Sequence, residues 1–292
     1  MRVVDSHLHL WDLGRRTTDP HAYPWLTPDW ADLHRDHLPD EARTVLDAAG
    51  VDQVVLVQAE DSTAETDLLL EWADQHPWIV GVVGWLPLLD PAATAEELAR
   101  LAHRPLVGVR HLVHDDPDAE FLDHDQVRAS LSLVAAAGLP LDVPDAWPRH
   151  LDQLTRLASD LPALTVVVDH LAKPPRSVAD TNHAMASWQE LLATAAALPN
   201  VVAKVSGLQA AGASPGTRAP LTTDDLTPVL DTALELFGSN RLMYGSDWPM
   251  TTRFDGGYAP HLEAIRGWAG TLSSAQQDDL WHATACRVYR LG

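Results

Sequence analysis

The chain opens MRVVDSHLHL, with His7 and His9 separated by a single leucine. On an extended strand, residues two apart project to the same side, so both imidazoles face one way while Leu8 faces the other. Two imidazoles placed like this at the end of a strand can hold a metal or polarise a carbonyl oxygen. In a chain with fifteen histidines, the pair taken alone also reads as a polar strand end meeting solvent. The groups that end the later apolar runs change the weight: Gln58, Trp85, Arg110 with His111, Asp169 with His170, Lys204 with Ser206, and Asp247. An apolar strand has no structural need to end in His, Arg or Asp, and together these residues describe one ring.

The chemistry follows from the residue types. His7, His9 and His170 can point N–H donors, or a bound metal, at an acyl oxygen and stabilise the charge it develops under attack. Asp247 can take the proton of an attacking water and hand it to the leaving oxygen. Arg110 can grip a carboxylate or a polyol. That set suits hydrolysis without a serine or cysteine nucleophile. Cys286, the single cysteine, reads as a packing or surface residue in the last helix, and it excludes an intrachain disulfide.

The elements that must position these groups alternate along the chain. After the first strand, apolar runs fall at 53–58, 79–86, 106–110, 139–143, 164–169, 201–206 and 242–245, which makes eight. Amphipathic stretches lie between them. A helix is predicted over 39–49, stopped by Gly50, and Ser62-x-x-Glu65, Thr94-x-x-Glu97 and Ser274-x-x-Gln277 have the form of capping boxes. Nearly continuous apolar strands separated by helices imply a parallel sheet buried on both faces, and eight such units predict an α/β fold, a distorted (β/α)8 TIM barrel over residues 1–292. Connections into the strands are short, such as 50–52 and 77–78. Connections out of them are long: 10–36, 110–123, 170–183, 207–222 and 248–258. A barrel with its long loops at one rim carries its site there. The stretch 11–36, with Trp11, Trp25 and Trp30, reads as a lid or binding loop, or as an apolar plug that seals the barrel.

Composition narrows the partners. The formal charge is −21, and only Lys173 and Lys204 are lysines. Such a field repels phosphate backbones and anionic membranes, so neither nucleic acid nor a membrane surface is an expected partner. The expectation is a soluble cytoplasmic protein acting on a small molecule.

The stretches DSHLHLWD, YPWL, LVQAEDSTAET, VVGWLPL, GVRHLVHDDPD, VVDHLAKPP, PNVVAKVSGL and LMYGSDWPM resemble the amidohydrolase superfamily. More closely they are similar to its amidohydrolase 2 branch of dicarboxylate-pyrone and sugar-acid lactone hydrolases, in order from residue 3 to the closing TACRVYRL. In that family the His-x-His pair and a later histidine polarise the lactone carbonyl and the last aspartate activates water. The resemblance therefore implies His7, His9, His170 and Asp247 as catalytic residues. Members with two metals carry a carboxylated lysine on the fourth strand and histidines on the fifth and sixth. Here the fourth strand ends in Arg110 and the fifth in Asp142-Val143, His170 ends the sixth, and the branch includes enzymes that work without metal. The expectation is that no cofactor is needed. The alternative is one zinc ion on His7, His9, His170 and Asp247.

The resemblance implies hydrolysis of a 1,4- or 1,5-aldonolactone to its sugar acid, a step of carbohydrate metabolism. Trp25, Trp85 and Trp248 would offer flat faces for the ring, with Gln58, Arg110, His111 and Lys204 for its hydroxyls. A pyrone dicarboxylate would need at least two cationic clamps, and the charge of −21 opposes a dianion. A zinc-dependent decarboxylase of the same superfamily and a non-catalytic sugar-binding barrel are the competing readings.

Overall fold

The computed structural model describes residues 2–175, 181–209 and 218–292. Eight strands form one sheet in sequential order: β1 Val4–Leu8, β2 Gln53–Val57, β3 Ile79–Gly84, β4 Leu106–Arg110, β5 Leu141–Val143, β6 Val166–Val168, β7 Val201–Val205 and β8 Leu242–Tyr244. Every neighbouring pair from β1 to β8 is parallel. The seam between β8 and β1 is closed by a parallel bridge from Leu8 to Trp248, where the His9 amide donates to the Trp248 carbonyl at 2.7 Å. The sheet is the barrel that the eight apolar runs predict.

Helices follow the strands: α1 Pro39–Ala49, α2 Thr63–Gln75, α3 Pro91–Arg100, α4 Asp125–Ala136, α5 Leu151–Asp160, α6 Thr181–Ala196, α7 Thr223–Phe237 and α8 Tyr258–Ala269. Strand alternation divides the core. On β7, Val201, Ala203 and Val205 pack outward against the helices. Val202 joins Val4, Val55, Val57, Val83, Val167 and Met243 inside the barrel. The short helix α9 Ser274–Asp278, a π-helical turn and α10 Thr284–Tyr289 complete the chain, and Tyr289 packs into that interior cluster. Among the described residues no helix is long and apolar enough to cross a membrane.

Local details depart from the predicted boundaries. The first strand spans Val4–Leu8 with a register shift between Asp5 and Leu8, so His7 lies within it and His9 just past its end. The third stops at Gly84, leaving Trp85 in the loop. Ser62 does cap α2, accepting from the Glu65 amide at 3.1 Å, but the Glu65 carboxylate turns away to the amides of Ala59 and Glu60. Thr94 lies inside α3, which starts one turn earlier because Asp90 accepts from the amides of Ala92 and Ala93 and Pro91 fixes the first turn. The last box is Ser273 with Gln276, one residue before the predicted pair.

The long loop after β1 packs on a small core of its own, formed by Trp11, Ala22, Tyr23, Leu26, Leu33 and Ala59. The Trp25 indole donates to the Ala59 carbonyl at 2.7 Å and ties this flap to the end of β2. Parts of the predicted loops 170–183 and 207–222 lie outside the described residues.

Candidate active site

Four predicted residues meet at the strand ends. His7 Nε2 is 3.1 Å from His9 Nε2, and Asp247 Oδ1 is 3.4 Å from His9 Nε2 and 3.9 Å from His7 Nε2. His170 Nε2 stands 4.0 Å from the same oxygen, and its Nδ1 is 2.8 Å from Ser206 Oγ. The backbone fixes this arrangement. Asp5 accepts from the amides of His7 at 3.1 Å and Ser246 at 2.8 Å and from the Tyr258 hydroxyl at 3.0 Å, joining the end of β1 to the turn after β8. His170 and Asp247 both have left-handed backbones, φ 56° and 60°, a conformation that non-glycine residues hold at a cost only where the surroundings enforce it.

Beneath the histidines lies a fully buried charged layer. Lys204 Nζ is 2.6 Å from Asp142 Oδ2, 3.1 Å from Asp169 Oδ1 and 3.0 Å from His7 Nδ1. The Tyr289 hydroxyl donates to Asp142 at 2.7 Å, and Arg110 reaches Asp169 at 3.2 Å and the Gln58 carbonyl. Burial by itself would raise the Asp169 carboxyl, yet Lys204, His7 and Arg110 hold it well below the usual carboxylate range. It is an anion beside His7.

Burial acts on the residues above it. Burial, with the charge of Lys204, pushes His7 well below its ordinary value, and burial, with Arg110, takes His9 down to about 3. His170 is lowered by the same loss of water. All three are therefore neutral at neutral pH. Burial lifts the Asp247 carboxyl to about 6, and the facing His170 offsets part of that rise. A carboxyl poised there is suited to give and take a proton near neutrality.

Neutral imidazoles have one donor each, and the network assigns it. The Val57 carbonyl can only accept, so the His9 Nδ1 proton sits on it at 2.8 Å and Nε2 presents a lone pair. His9 therefore has no N–H left for a carbonyl, and of the two roles the sequence allowed the histidines, donor or metal ligand, its geometry suits the second. His170 can be, with the Ser206 hydroxyl donating to Nδ1 and the proton on Nε2.

The site opens into a cavity of about 290 Å³ bounded by His9, Trp11, Trp25, Trp30, Arg110, His114, Asp115, Asp145, His170, Lys173, Asp247 and Met250, among others. Trp25 and Arg110, predicted to contact substrate, are on its wall. The other five residues predicted for that role lie off it. Lys204 is sealed below His7, and Gln58 spends its amide on Asp61 and the Arg110 carbonyl. The Trp85 indole donates to His111, which stacks on Phe121 between Asp61 and Asp116. Trp248 is buried at the seam against His37. Sequence reasoning did not single out His114, Asp115 or Asp145. All three follow strand ends in acidic turns, a signal too common to select them.

His7, His9 and Asp247 also form a group with the spacing of metal ligands, with ligand atoms within 4.8 Å of one another. Four-coordinate zinc with bonds of about 2.0–2.1 Å spaces its ligand atoms by roughly 3.3 Å, close to the distances here. His9 Nε2 already offers its lone pair. His7 can do the same by donating Nδ1–H to Asp169 Oδ1 at 3.3 Å, the carboxylate–histidine arrangement that orients metal ligands. Without a metal, His7 instead accepts from Lys204 at Nδ1 and donates Nε2–H to His9. The residues fit a divalent ion, and the expectation that no cofactor is needed finds no support in them.

The chain matches the amidohydrolase family over residues 4–291. An L-fucono-1,5-lactonase from Burkholderia multivorans is 34% identical over 294 residues, covering 99% of this chain and 96% of the relative. An L-fucono-1,5-lactonase from Burkholderia ambifaria is 31% identical over 298 residues, covering 99% and 95%. A crystal structure of an amidohydrolase from Burkholderia multivorans with bound zinc is 33% identical, with a TM-score of 0.89 and full coverage of both chains.

Proposed function

The chain belongs to the amidohydrolase family, and from that footing we propose that it opens a sugar-derived 1,4- or 1,5-lactone to its aldonic acid. The observation that carries this reading is the Asp247 carboxyl, raised to about 6 and facing three neutral imidazoles at the foot of a tryptophan-walled cavity. Water is the nucleophile in this reading, placed by Asp247, whose carboxyl lines the cavity. The relatives named L-fucono-1,5-lactonase support the same class of substrate.

Asp247 accepts a proton from water as the water oxygen bonds to the acyl carbon and the carbonyl π pair moves onto its oxygen. His170 Nε2–H and the Arg110 guanidinium stabilise that oxyanion. When the carbonyl reforms, the ring C–O bond breaks and the departing oxygen takes the proton back from Asp247. Water is thereby added across the ester bond, and the new carboxylic acid ionises. His7, His9 and Asp247 are the residues that would hold a divalent ion such as zinc. Bound there, it would polarise the acyl oxygen and acidify water.

The test is a panel of aldonolactones, a pyrone dicarboxylate and aromatic carboxylic acids offered to the purified protein. Release of acid from a sugar lactone supports the proposal. Turnover confined to the dicarboxylate, or carbon dioxide released from an aromatic acid, overturns it.

A further inference from the structure

We infer that the Asp145–Lys173 ion pair on the cavity wall reads the hydroxyls of a neutral polyol substrate, Asp145 accepting from one hydroxyl and Lys173 donating to its neighbour. This rests on the lactone-hydrolase reading above and names the feature that would select its substrates.

Both residues line the cavity beside His170 and Asp247. Asp145 follows β5 by two residues and Lys173 follows His170 by three, both with left-handed backbones at φ 46° and 60°. The loops that carry them are already joined by the Trp147 amide donating to the Ala172 carbonyl at 3.2 Å. The Trp188 indole pins the Leu171 carbonyl at 2.8 Å. The ion pair is therefore not what holds the loops together, and a partly exposed pair contributes little to stability in any case. Its side chains bond to each other and keep capacity to spare. An ammonium has three donors and a carboxylate about four acceptor positions, and among the described residues one of each is used here. An acceptor and a donor side by side match two adjacent hydroxyls. Trp11, Trp25 and Trp30, packed edge to face, supply apolar faces on the same cavity.

The charges around the cavity argue for a neutral ligand. Its described cations are Arg110 and Lys173, and each already has a carboxylate partner, Asp169 and Asp145. Asp115, Asp145 and Asp247 face the same space. A substrate carboxylate would find no unpaired cation among the described lining residues, and it would meet Asp115 and Asp247, which Lys173 does not neutralise. The same field would expel an aldonate product.

The experiment compares kcat/KM for L-fucono-1,5-lactone and for unsubstituted δ-valerolactone in the wild type, Asp145→Asn and Lys173→Met, with L-fuconate as product inhibitor. Each variant should lose about 10-fold or more selectivity for the hydroxylated lactone, the scale of a charge-assisted hydrogen bond. Asp145→Asn should also tighten inhibition by the aldonate, which a merely structural role would not do. Equal losses on both lactones with unchanged aldonate inhibition would overturn the inference, as would no loss at all. Lys173→Met, at a half-buried position on the cavity wall, keeps the test open if Asp145→Asn folds poorly. A wild type inert towards both lactones refutes the proposed function instead. Tryptophan fluorescence titration with the unreacted sugar lactone then decides the role of the pair: binding weakened by Asp145→Asn upholds it, and binding unaffected or absent overturns it.

Discussion

The Asp247 amide donates to the His7 carbonyl at 2.8 Å, so the candidate base and the first histidine are locked to each other across the seam that closes the barrel. The bond is between backbones and does not depend on the carboxyl. Closure of the fold thereby sets the distance between the two ends of the site.

Asp247→Asn keeps that backbone bond and removes only the proton acceptor. Lactone turnover should fall on the order of 100-fold or more, with KM little changed and the circular dichroism spectrum intact. Near-wild-type hydrolysis in this variant would place the base elsewhere.

The raised Asp247 carboxyl has a signed consequence for stability. In the metal-free folded chain it keeps its proton up to about pH 6, whereas in the unfolded chain it loses it near 3.8. Between those values the unfolded state binds fewer protons, so this group lowers stability as pH rises through the window. Chelator-treated Asp247→Asn should therefore match the wild type below pH 4 and exceed its melting temperature at pH 7. In the rate profile, kcat/KM should climb through about pH 6. A cation on the same carboxyl would move that limb to lower pH, so profiles recorded before and after chelation report whether Asp247 is a ligand.

Zinc added to chelator-stripped protein should bind at one ion per chain and raise the melting temperature, because it stabilises the folded state alone. His9→Ala should abolish both effects while leaving the fold in place. Elemental analysis and a thermal melt suffice. Undiminished zinc uptake by His9→Ala would place the ion outside the His7, His9 and Asp247 group.

How much of this was legible in the sequence depends on the kind of signal. The eight strands were, because each is an apolar run whose period survives in the barrel, and so was the shared side of His7 and His9. Depth was not. Lys204 and Arg110 both belong to apolar strands, yet Arg110 ends β4 on the cavity wall while Lys204 stands one residue before the end of β7, beneath His7. Periodicity gives the face a side chain points to and says nothing of how far along the barrel axis it lies. Asp145 and Lys173 were invisible as a pair because left-handed positions after a strand end have no period at all. Trp25 and Trp248 look alike in sequence, and only packing puts one on the cavity and the other in the seam.

Glu65 is a buried structural carboxyl, pushed up to about 8 by its loss of water, with a reach into the site. It accepts from the buried amides of Ala59 at 3.0 Å and Glu60 at 2.7 Å, shaping the corner whose Ala59 carbonyl holds the Trp25 indole. Glu65→Ala strands those amides and should cost roughly 2–4 kcal/mol in denaturant unfolding. KM should rise as Trp25 loosens. A variant with unchanged stability and KM would show that this corner is held by other contacts.

Gly207 gives the sharpest steric test. It sits on the cavity wall just past β7 with φ 60°, and a Cβ there would lie 2.5 Å from His170 Nδ1 and 2.9 Å from Asp247 Oδ2. Either side chain could relieve the clash only by leaving the position in which His170 Nε2 and Asp247 Oδ1 stand 4.0 Å apart. Gly207→Ala adds one methyl group and no charge. The left-handed backbone alone costs about 1–2 kcal/mol, which a barrel of this size should survive. The damage should fall on the site, where displacement of about 1 Å is worth on the order of 100-fold in rate. Turnover should collapse with a melting temperature only a few degrees lower, and zinc binding should persist more than catalysis does, because His7 and His9 lie outside the clash. Full activity in Gly207→Ala would mean that His170 and Asp247 need not hold their present separation, and the assignment of His170 as the oxyanion donor would fall with it.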